Sequence, residues 1–198
     1  MQFTGSFKER GARYALLQLL KEEKKKQNKE FSSERGVIAA SAGNHALALA
    51  WHGKLLNIPV TVVMPDVAPL AKVEKCRKFG ANVIIKGAHI GESKKYAEEM
   101  MAKNGLVYIN GYDDADIIAG AGSLGIEIVE QCPDVDIVVV PIGGAGLIAG
   151  VSCAVKTLLP NVVVFGVEPE RAASYTKAIE MGRPSPVTVQ PTLADGLV

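Results

Sequence analysis

From Gly36 onward the chain alternates short β-branched runs with helical runs, and this alternation restricts the fold more than any other feature. Val37–Ala40, Val60–Met64, Asn82–Lys86, Leu106–Ile109, Asp136–Val140 and Val162–Val167 read as strands. Between and after them lie predicted helices: one from Ala46 that Asn57 and Pro59 stop, then Leu70–Phe79, Glu92–Lys103, Ile117–Gln131, a run from the glycines at 143–146 to Leu159, and Ala172–Met181. Strands of roughly four to six residues alternating with helices of roughly ten to fifteen predict a doubly wound α/β fold. Asp136–Val140 is uninterrupted and apolar, the pattern of a strand buried on both faces of a parallel sheet. Ahead of this series a helix begins near Lys8, with Ala12, Tyr14, Ala15, Leu16, Leu17, Leu19 and Leu20 as a broad apolar face. The proline-rich tail from Gly182 lacks periodicity. A Lys-rich stretch near residue 30 and a turn near residue 110 are the two candidate boundaries, and they suggest a unit inserted between them.

Composition narrows the function more than the fold. Lys plus Arg number 22 against 21 Asp plus Glu, a net charge of +1, which gives no electrostatic reason to expect nucleic acid or an anionic membrane as partner. The basic cluster Lys21–Lys29 has acids interleaved and reads as a solvated helix end. Hydrophobic residues make up 48% of the 198, enough for a real core. Cys76, Cys132 and Cys153 are widely spaced, without metal-ligand spacing, so a reduced, cytoplasmic compartment and no metal site are expected. No apolar run approaches the roughly 18 residues of a membrane span, and no signal or transit peptide is read at the start.

Three stretches carry chemistry. Lys8 follows Gly5 and Ser6 at a helix start, where the positive end of the helix dipole favours loss of its proton, and a neutral amine is what Schiff-base chemistry needs. The structural alternative is a solvated surface lysine. Ser41-Ala42-Gly43-Asn44-His45 ends a strand and opens a helix, so its N–H groups, the Ser41 hydroxyl and the Asn44 amide can face an anion such as a carboxylate; an ordinary Ser-capped turn is the alternative. Gly143-Gly144-Ala145-Gly146 also joins strand to helix, the arrangement that sets backbone N–H groups against phosphate. Gly144-x-Gly146-x-x-Ala149, with Glu168 24 residues after Gly144, equally satisfies the dinucleotide fingerprint, which by itself would favour a nicotinamide cofactor.

Taken together, Thr4-Gly5-Ser6-Phe7-Lys8-Glu9-Arg10-Gly11-Ala12, Ala40-Ser41-Ala42-Gly43-Asn44-His45-Ala46 and Pro141-Ile142-Gly143-Gly144-Ala145-Gly146-Leu147 resemble the fold-type II pyridoxal phosphate enzymes, in the threonine/serine dehydratase and serine racemase branch. Glu168-Pro169 and Ala194-Asp195-Gly196-Leu197 fall in the same family order. The resemblance displaces the nicotinamide reading, which has no use for Lys8 or the Asn44 turn. It implies a two-domain architecture: residues 31–109 a small domain, residues 1–30 and 110–198 a large cofactor-binding domain that is incomplete. It further implies pyridoxal 5'-phosphate carried by Lys8, flanked by Phe7 and held by Asn44, with Gly143, Gly144, Ala145, Gly146 and Leu147 at the phosphate. Ser41, Asn44 and His45 would face the substrate carboxylate.

The implied activity is deamination of L-threonine or L-serine to 2-oxobutanoate or pyruvate plus ammonia, by a homodimer in the full-length family. Ala42 departs from the racemase pattern, where a serine acts as second base, and so favours the lyase. Ser174 stands where cation-binding members have an acid. Ala145 replaces a usual glycine, Ala121 a frequent glutamine, and Asn110-Gly111 a frequent His-Pro. The family pattern also extends beyond both ends of this stretch. A truncated, non-catalytic homologue that binds cofactor or a partner chain is therefore the competing reading.

Overall fold

The computed structural model describes residues 2–27 and 36–197. It divides into two compact units, Met1–Gly120 and Ala121–Val198. The predicted boundary near residue 30 lies outside the described residues.

The first unit is built from helix α1 (Lys8–Gln27), strand β1 (Val37–Ala40), α2 (Asn44–Leu56), β2 (Val60–Met64), α3 (Leu70–Lys78), β3 (Asn82–Ile85), α4 (Ile90–Asn104) and β4 (Val107–Tyr108). The four strands form one parallel sheet in the order β3-β2-β1-β4, with Val37 beside both Val60 and Val107. Side chains alternate across the pleat, so each inner strand serves two cores. Val37, Ala39, Val62 and Met64 pack with Ala12, Ala15 and Leu16 of α1, Leu47 and Leu49 of α2, and Val73 and Cys76 of α3. Ile38 and Val63, on the opposite face, pack with Ala97, Tyr96 and Met100 of α4. Helices on both faces make this the doubly wound arrangement expected, and they explain why β1 and β2 are apolar along almost their whole length.

Two expectations for helices are corrected. In α1, Tyr14 and Leu17 are exposed rather than part of the apolar face, because at 100° per residue they fall outside the stripe through Ala12, Ala15, Leu16 and Leu19. Helix α4 starts at Ile90, two residues before Glu92, because local side chains organise its first turn. Ser93, fully buried, donates its hydroxyl to the Lys86 carbonyl at 2.8 Å, and the Glu92 carboxylate accepts the Ala88 N–H at 2.9 Å.

Helix α5 (Ala115–Gln131) carries the division between the units. In its first turns a Cβ on Gly120 would meet the Arg10 carbonyl oxygen at 2.6 Å, so this position is held to glycine by the close approach of α1.

In the second unit β5 (Ile137–Pro141) and β6 (Val163–Val167) pair in parallel, joined by α6 (Gly146–Leu158), and α7 (Ser174–Met181) follows a 3-10 turn at Glu170–Ala172. Val138 and Val140 pack on Val151 and Val155 of α6 and on Leu124 and Ile128 of α5. The other face of β5 is open, with Ile137 and Val139 about half exposed, and Phe165 of β6 beside them is too. The expectation of burial on both faces is thus overturned. Among the described residues this two-stranded sheet has helices packed on one side only. No helix among the described residues is long and apolar enough to cross a membrane.

Candidate active site

The order of the first sheet creates the crevice. The chain leaves β1 outward through β2 and β3, then returns to the other side of β1 as β4. In open α/β sheets such a reversal, here between β1 and β4, leaves a gap at the carboxyl ends of the two strands, where ligands collect. The loops that emerge there are residues 41–45, after β1, and residues 109–114, after β4.

Lys8 reaches this place from α1. It is the helix's first residue and follows a turn in which Gly5 adopts φ +89°, a left-handed conformation that favours glycine. The Gly5 N–H bonds to the Gln2 carbonyl at 3.1 Å, and the Lys8 N–H bonds to the Ser6 hydroxyl at 3.2 Å. The Lys8 amine donates to the Gly111 carbonyl at 2.5 Å and lies 5.3 Å from the centre of the Phe7 ring. Burial lowers its pKa, since the ammonium loses water that one carbonyl replaces only in part.

His45 is buried beside it. Its Nε2 lies 3.1 Å from the Ile109 carbonyl oxygen. Burial first, then the Lys8 charge, push its pKa down to about 4, against the opposing effect of the Ile109 carbonyl. The ring is therefore neutral near pH 7, and because a carbonyl only accepts, Nε2 carries the proton. The Nδ1 lone pair is left buried without a hydrogen-bond partner. Gly111 packs flat on this ring: a Cβ there would lie 2.7 Å from Cγ of His45. Asn110 accepts the N–H groups of Tyr112 and Asp113 on its side-chain oxygen, both at 3.1 Å, and so fixes the turn that presents the Gly111 carbonyl.

The Ser41 hydroxyl accepts the Gly43 N–H at 3.2 Å, which shapes the turn into α2. No side chain caps α2, and Asn44, its first residue, is exposed. The first N–H groups of the helix are consequently open to an anion. Lys8, Phe7, Ser41, Asn44 and His45 all lie in the first unit, at the helix starts and strand ends that frame the crevice.

The glycine loop is a feature of the second unit. It leaves the end of β5 and enters α6 through Ala145, at φ 63° and ψ −6°, again with no side-chain cap. Gly144 is exposed, Gly146 is buried, and Gly143 lies close under the chain at Leu197, where a Cβ would meet Cα at 3.1 Å. An uncapped helix start behind a loop without side chains at 143, 144 and 146 fits a phosphate. The Ala145 methyl is the one departure, and its N–H is retained.

Glu168, the acid of the dinucleotide fingerprint, is otherwise engaged. Its carboxylate accepts the N–H groups of Tyr175 at 3.0 Å and Thr176 at 2.6 Å, at the start of α7. Partial burial would raise its pKa, but the bonds from Thr176 and Tyr175 outweigh that and lower it. No group of three or more His, Cys, Asp or Glu among the described residues could hold a metal ion.

Sequence reasoning missed the carbonyls of Ile109 and Gly111, because a backbone acceptor leaves no mark in residue type. It also missed Glu9 and His52, a buried acid and base at the foot of the Lys8 turn. Polar residues inside a helical apolar pattern were the available signal.

Residues 1–198 match the model of the family described as pyridoxal-phosphate dependent enzyme. The chain is 45% identical over 197 residues to an L-threonine ammonia-lyase of Thermotoga maritima, covering 100% of this chain and 47% of that protein. Among solved structures it is similar to the processed form of threonine deaminase isoform 2 from Solanum lycopersicum, at 38% identity and a TM-score of 0.87, over 99% of this chain and 55% of that one. It is likewise similar to maize serine racemase, at 33% identity and a TM-score of 0.88, over 98% and 56% of the two chains. The chain thus spans about half the length of the curated relatives it matches. A half-buried lysine amine at a sheet reversal, two uncapped helix starts and a family match along the entire chain agree, and the chain belongs to the pyridoxal-phosphate dependent enzymes.

Proposed function

We propose that this chain supplies the lysine and anion-binding loops of a pyridoxal phosphate-dependent L-threonine or L-serine ammonia-lyase, which releases 2-oxobutanoate or pyruvate plus ammonia. The observation that carries the reading is Lys8. A lysine whose amine is half-buried gives up its proton more readily than one in water, because burial lowers its pKa, and the neutral amine is the form that Schiff-base chemistry needs. When bound, the cofactor supplies an electron sink for the charge left on the substrate when its α-proton departs.

In this reading the Lys8 amine would hold the cofactor and would be the base that takes the substrate's α-proton. Phe7 would flank the cofactor ring and Asn44 would hold its ring oxygen. The N–H groups at the open start of α2, with Ser41 and His45 beside them, receive the substrate carboxylate. The His45 ring serves this from behind, by holding Ile109. Gly143, Gly144, Ala145, Gly146 and Leu147 would hold a phosphate. The likeness to an L-threonine ammonia-lyase and a threonine deaminase supports threonine as substrate, and that to a serine racemase supports serine. Ala42, which has no side-chain proton to give, speaks for elimination over racemisation.

The domain reading goes with it: residues 31–109 as a small domain, since all four strands of the first sheet fall between them, and residues 1–30 and 110–198 in a large one. The free thiols of Cys76, Cys132 and Cys153 support a cytoplasmic setting, and a homodimer is the expected assembly of the full-length protein.

The test is to add pyridoxal phosphate to the purified protein, record the visible absorption, and then supply L-threonine or L-serine and measure the keto acid. A visible band and a keto acid, both lost in Lys8→Ala, are expected. No band, or one that survives Lys8→Ala, would refute the role of Lys8. A band without keto acid from either substrate would instead favour the non-catalytic homologue.

A further inference from the structure

The residue after the candidate lysine is the least expected one in its turn. Glu9 sits in the first turn of α1, only 7% exposed, and faces away from Lys8 because successive helical residues diverge by 100°. One carboxylate oxygen accepts the Thr4 N–H. The other lies 3.6 Å from Nε2 of His52, a buried residue of α2. His52 has no hydrogen bond on either ring nitrogen, and Arg13 is the other charged group that acts on it.

A carboxylate taken out of water costs several kcal/mol that an ion pair seldom recovers, so such a group is weak evidence for stability and better evidence for fixed geometry. Here the geometry it fixes is particular. Thr4 and Glu9 bracket Gly5, Ser6, Phe7 and Lys8, and their bond closes that turn from the protein side. The other hydrogen bonds, Gly5 N–H to Gln2, Lys8 N–H to the Ser6 hydroxyl and Arg10 N–H to the Phe7 carbonyl at 3.0 Å, are short-range. The Phe3 ring, stacked on Trp51 of α2 at 4.1 Å, anchors the residue before Thr4, and the Glu9 bond ties Thr4 itself to the first turn of α1.

We infer that Glu9 is a positioning residue for Lys8: its carboxylate, bonded to the Thr4 N–H, clamps the Thr4–Phe7 turn and thereby sets the direction in which the lysine amine enters the crevice. This rests on the assignment of Lys8 as cofactor lysine. A misplacement of about 1 Å at a reacting group costs on the order of a hundredfold in rate, so a loosened turn need not unfold the protein to be felt.

The experiment compares Glu9→Ala, Glu9→Asp and Glu9→Gln with the unaltered protein. Glutamine keeps an acceptor at the same reach; aspartate keeps the charge but falls one methylene short of Thr4. The readout is the rate at which Lys8 takes up added pyridoxal phosphate, followed as visible absorption, with thermal melting as a check on folding. Uptake slowed about tenfold or more in the alanine and aspartate variants, with most of the rate restored in Glu9→Gln, is expected. If Glu9→Ala does not fold, the aspartate–glutamine contrast decides. Uptake within about twofold of the unaltered rate in folded Glu9→Asp, or loss of uptake in folded Glu9→Gln equal to that in Glu9→Asp, would overturn the clamp. Should the unaltered protein take up no pyridoxal phosphate, the assignment of Lys8 fails. The clamp is then read by acetic anhydride labelling of the Lys8 amine, which it predicts to be faster in Glu9→Asp and unchanged in Glu9→Gln; equal rates in all three would overturn it.

Discussion

Ala145 gives the sharpest test of how the glycine loop is built. It enters α6 at φ 63° and ψ −6°, where an L-residue's Cβ crowds the backbone, at a cost of about 1–2 kcal/mol. Ala145→Gly removes that strain. Against it stands the wider freedom glycine has in the unfolded chain, about 0.4–1 kcal/mol. The difference is a net gain of roughly 0.5–1 kcal/mol, a rise in melting temperature of about 1–4 °C for a chain of this size. The control is Ala149→Gly, four residues on, at an exposed position inside α6. There φ is helical, no strain is relieved, and the same substitution should cost about 1 kcal/mol. Melting by circular dichroism, without cofactor, reads both. Opposite signs are required. If Ala145→Gly lowers the melting temperature as Ala149→Gly does, the left-handed conformation is not a source of strain and the account of the loop is wrong.

Gly111→Ala would set a methyl 2.7 Å from the His45 ring, which is buried and tied to Ile109, so the turn must move and take the Lys8 acceptor with it. Cofactor uptake and keto-acid formation should fall at least about tenfold while the far-ultraviolet dichroism is kept; an unchanged uptake rate would contradict the packing. His45 makes stability depend on pH with a definite sign. Its pKa falls from 6.5 unfolded to about 4 folded, so its contribution is complete above about pH 6.5 and is lost as pH falls toward 4, up to about 3 kcal/mol in all. Urea midpoints measured across that window should show a flatter slope in His45→Gln, and an equally steep one would mean that other groups carry the dependence.

What was legible in the sequence was whatever expresses itself in periodicity or in a residue's unique chemistry. β1 and β2 are continuous apolar runs because both of their faces are covered, and their bounds agree with the runs Val37–Ala40 and Val60–Met64. The same pattern misled at β5. A run such as Ile137–Val140 records burial on two faces, but the faces need not both be covered by the residues at hand, and Ile137 and Val139 are open here. In α1 the count of apolar residues overstated the face, because Tyr14 and Leu17 lie on the wrong side of a 3.6-residue turn. Of the site, Lys8 and the two helix starts were readable as residue types at element boundaries. The partners that define the Lys8 amine were not, since the carbonyls of Gly111 and Ile109 belong to backbone that any sequence would supply.

That asymmetry bears on how the site works. The two backbone carbonyls follow the short strand β4, which is held beside β1 by the pairing of Val107 and Tyr108 and by the Ile109 N–H on the Ile38 carbonyl at 3.0 Å. His45 adds a further constraint, beside the Asn110 side chain that shapes the turn. It is anchored in α2, a helix with eight buried residues, and its Nε2–H fixes the Ile109 carbonyl two residues before the one that receives Lys8. A charged imidazole would bring a second cation beside the lysine, which is why its neutrality matters as much as its place. Helix α2 thus borders the lysine turn at two places, with His45 bonded to Ile109 ahead of the Lys8 acceptor and His52 3.6 Å from the Glu9 carboxylate.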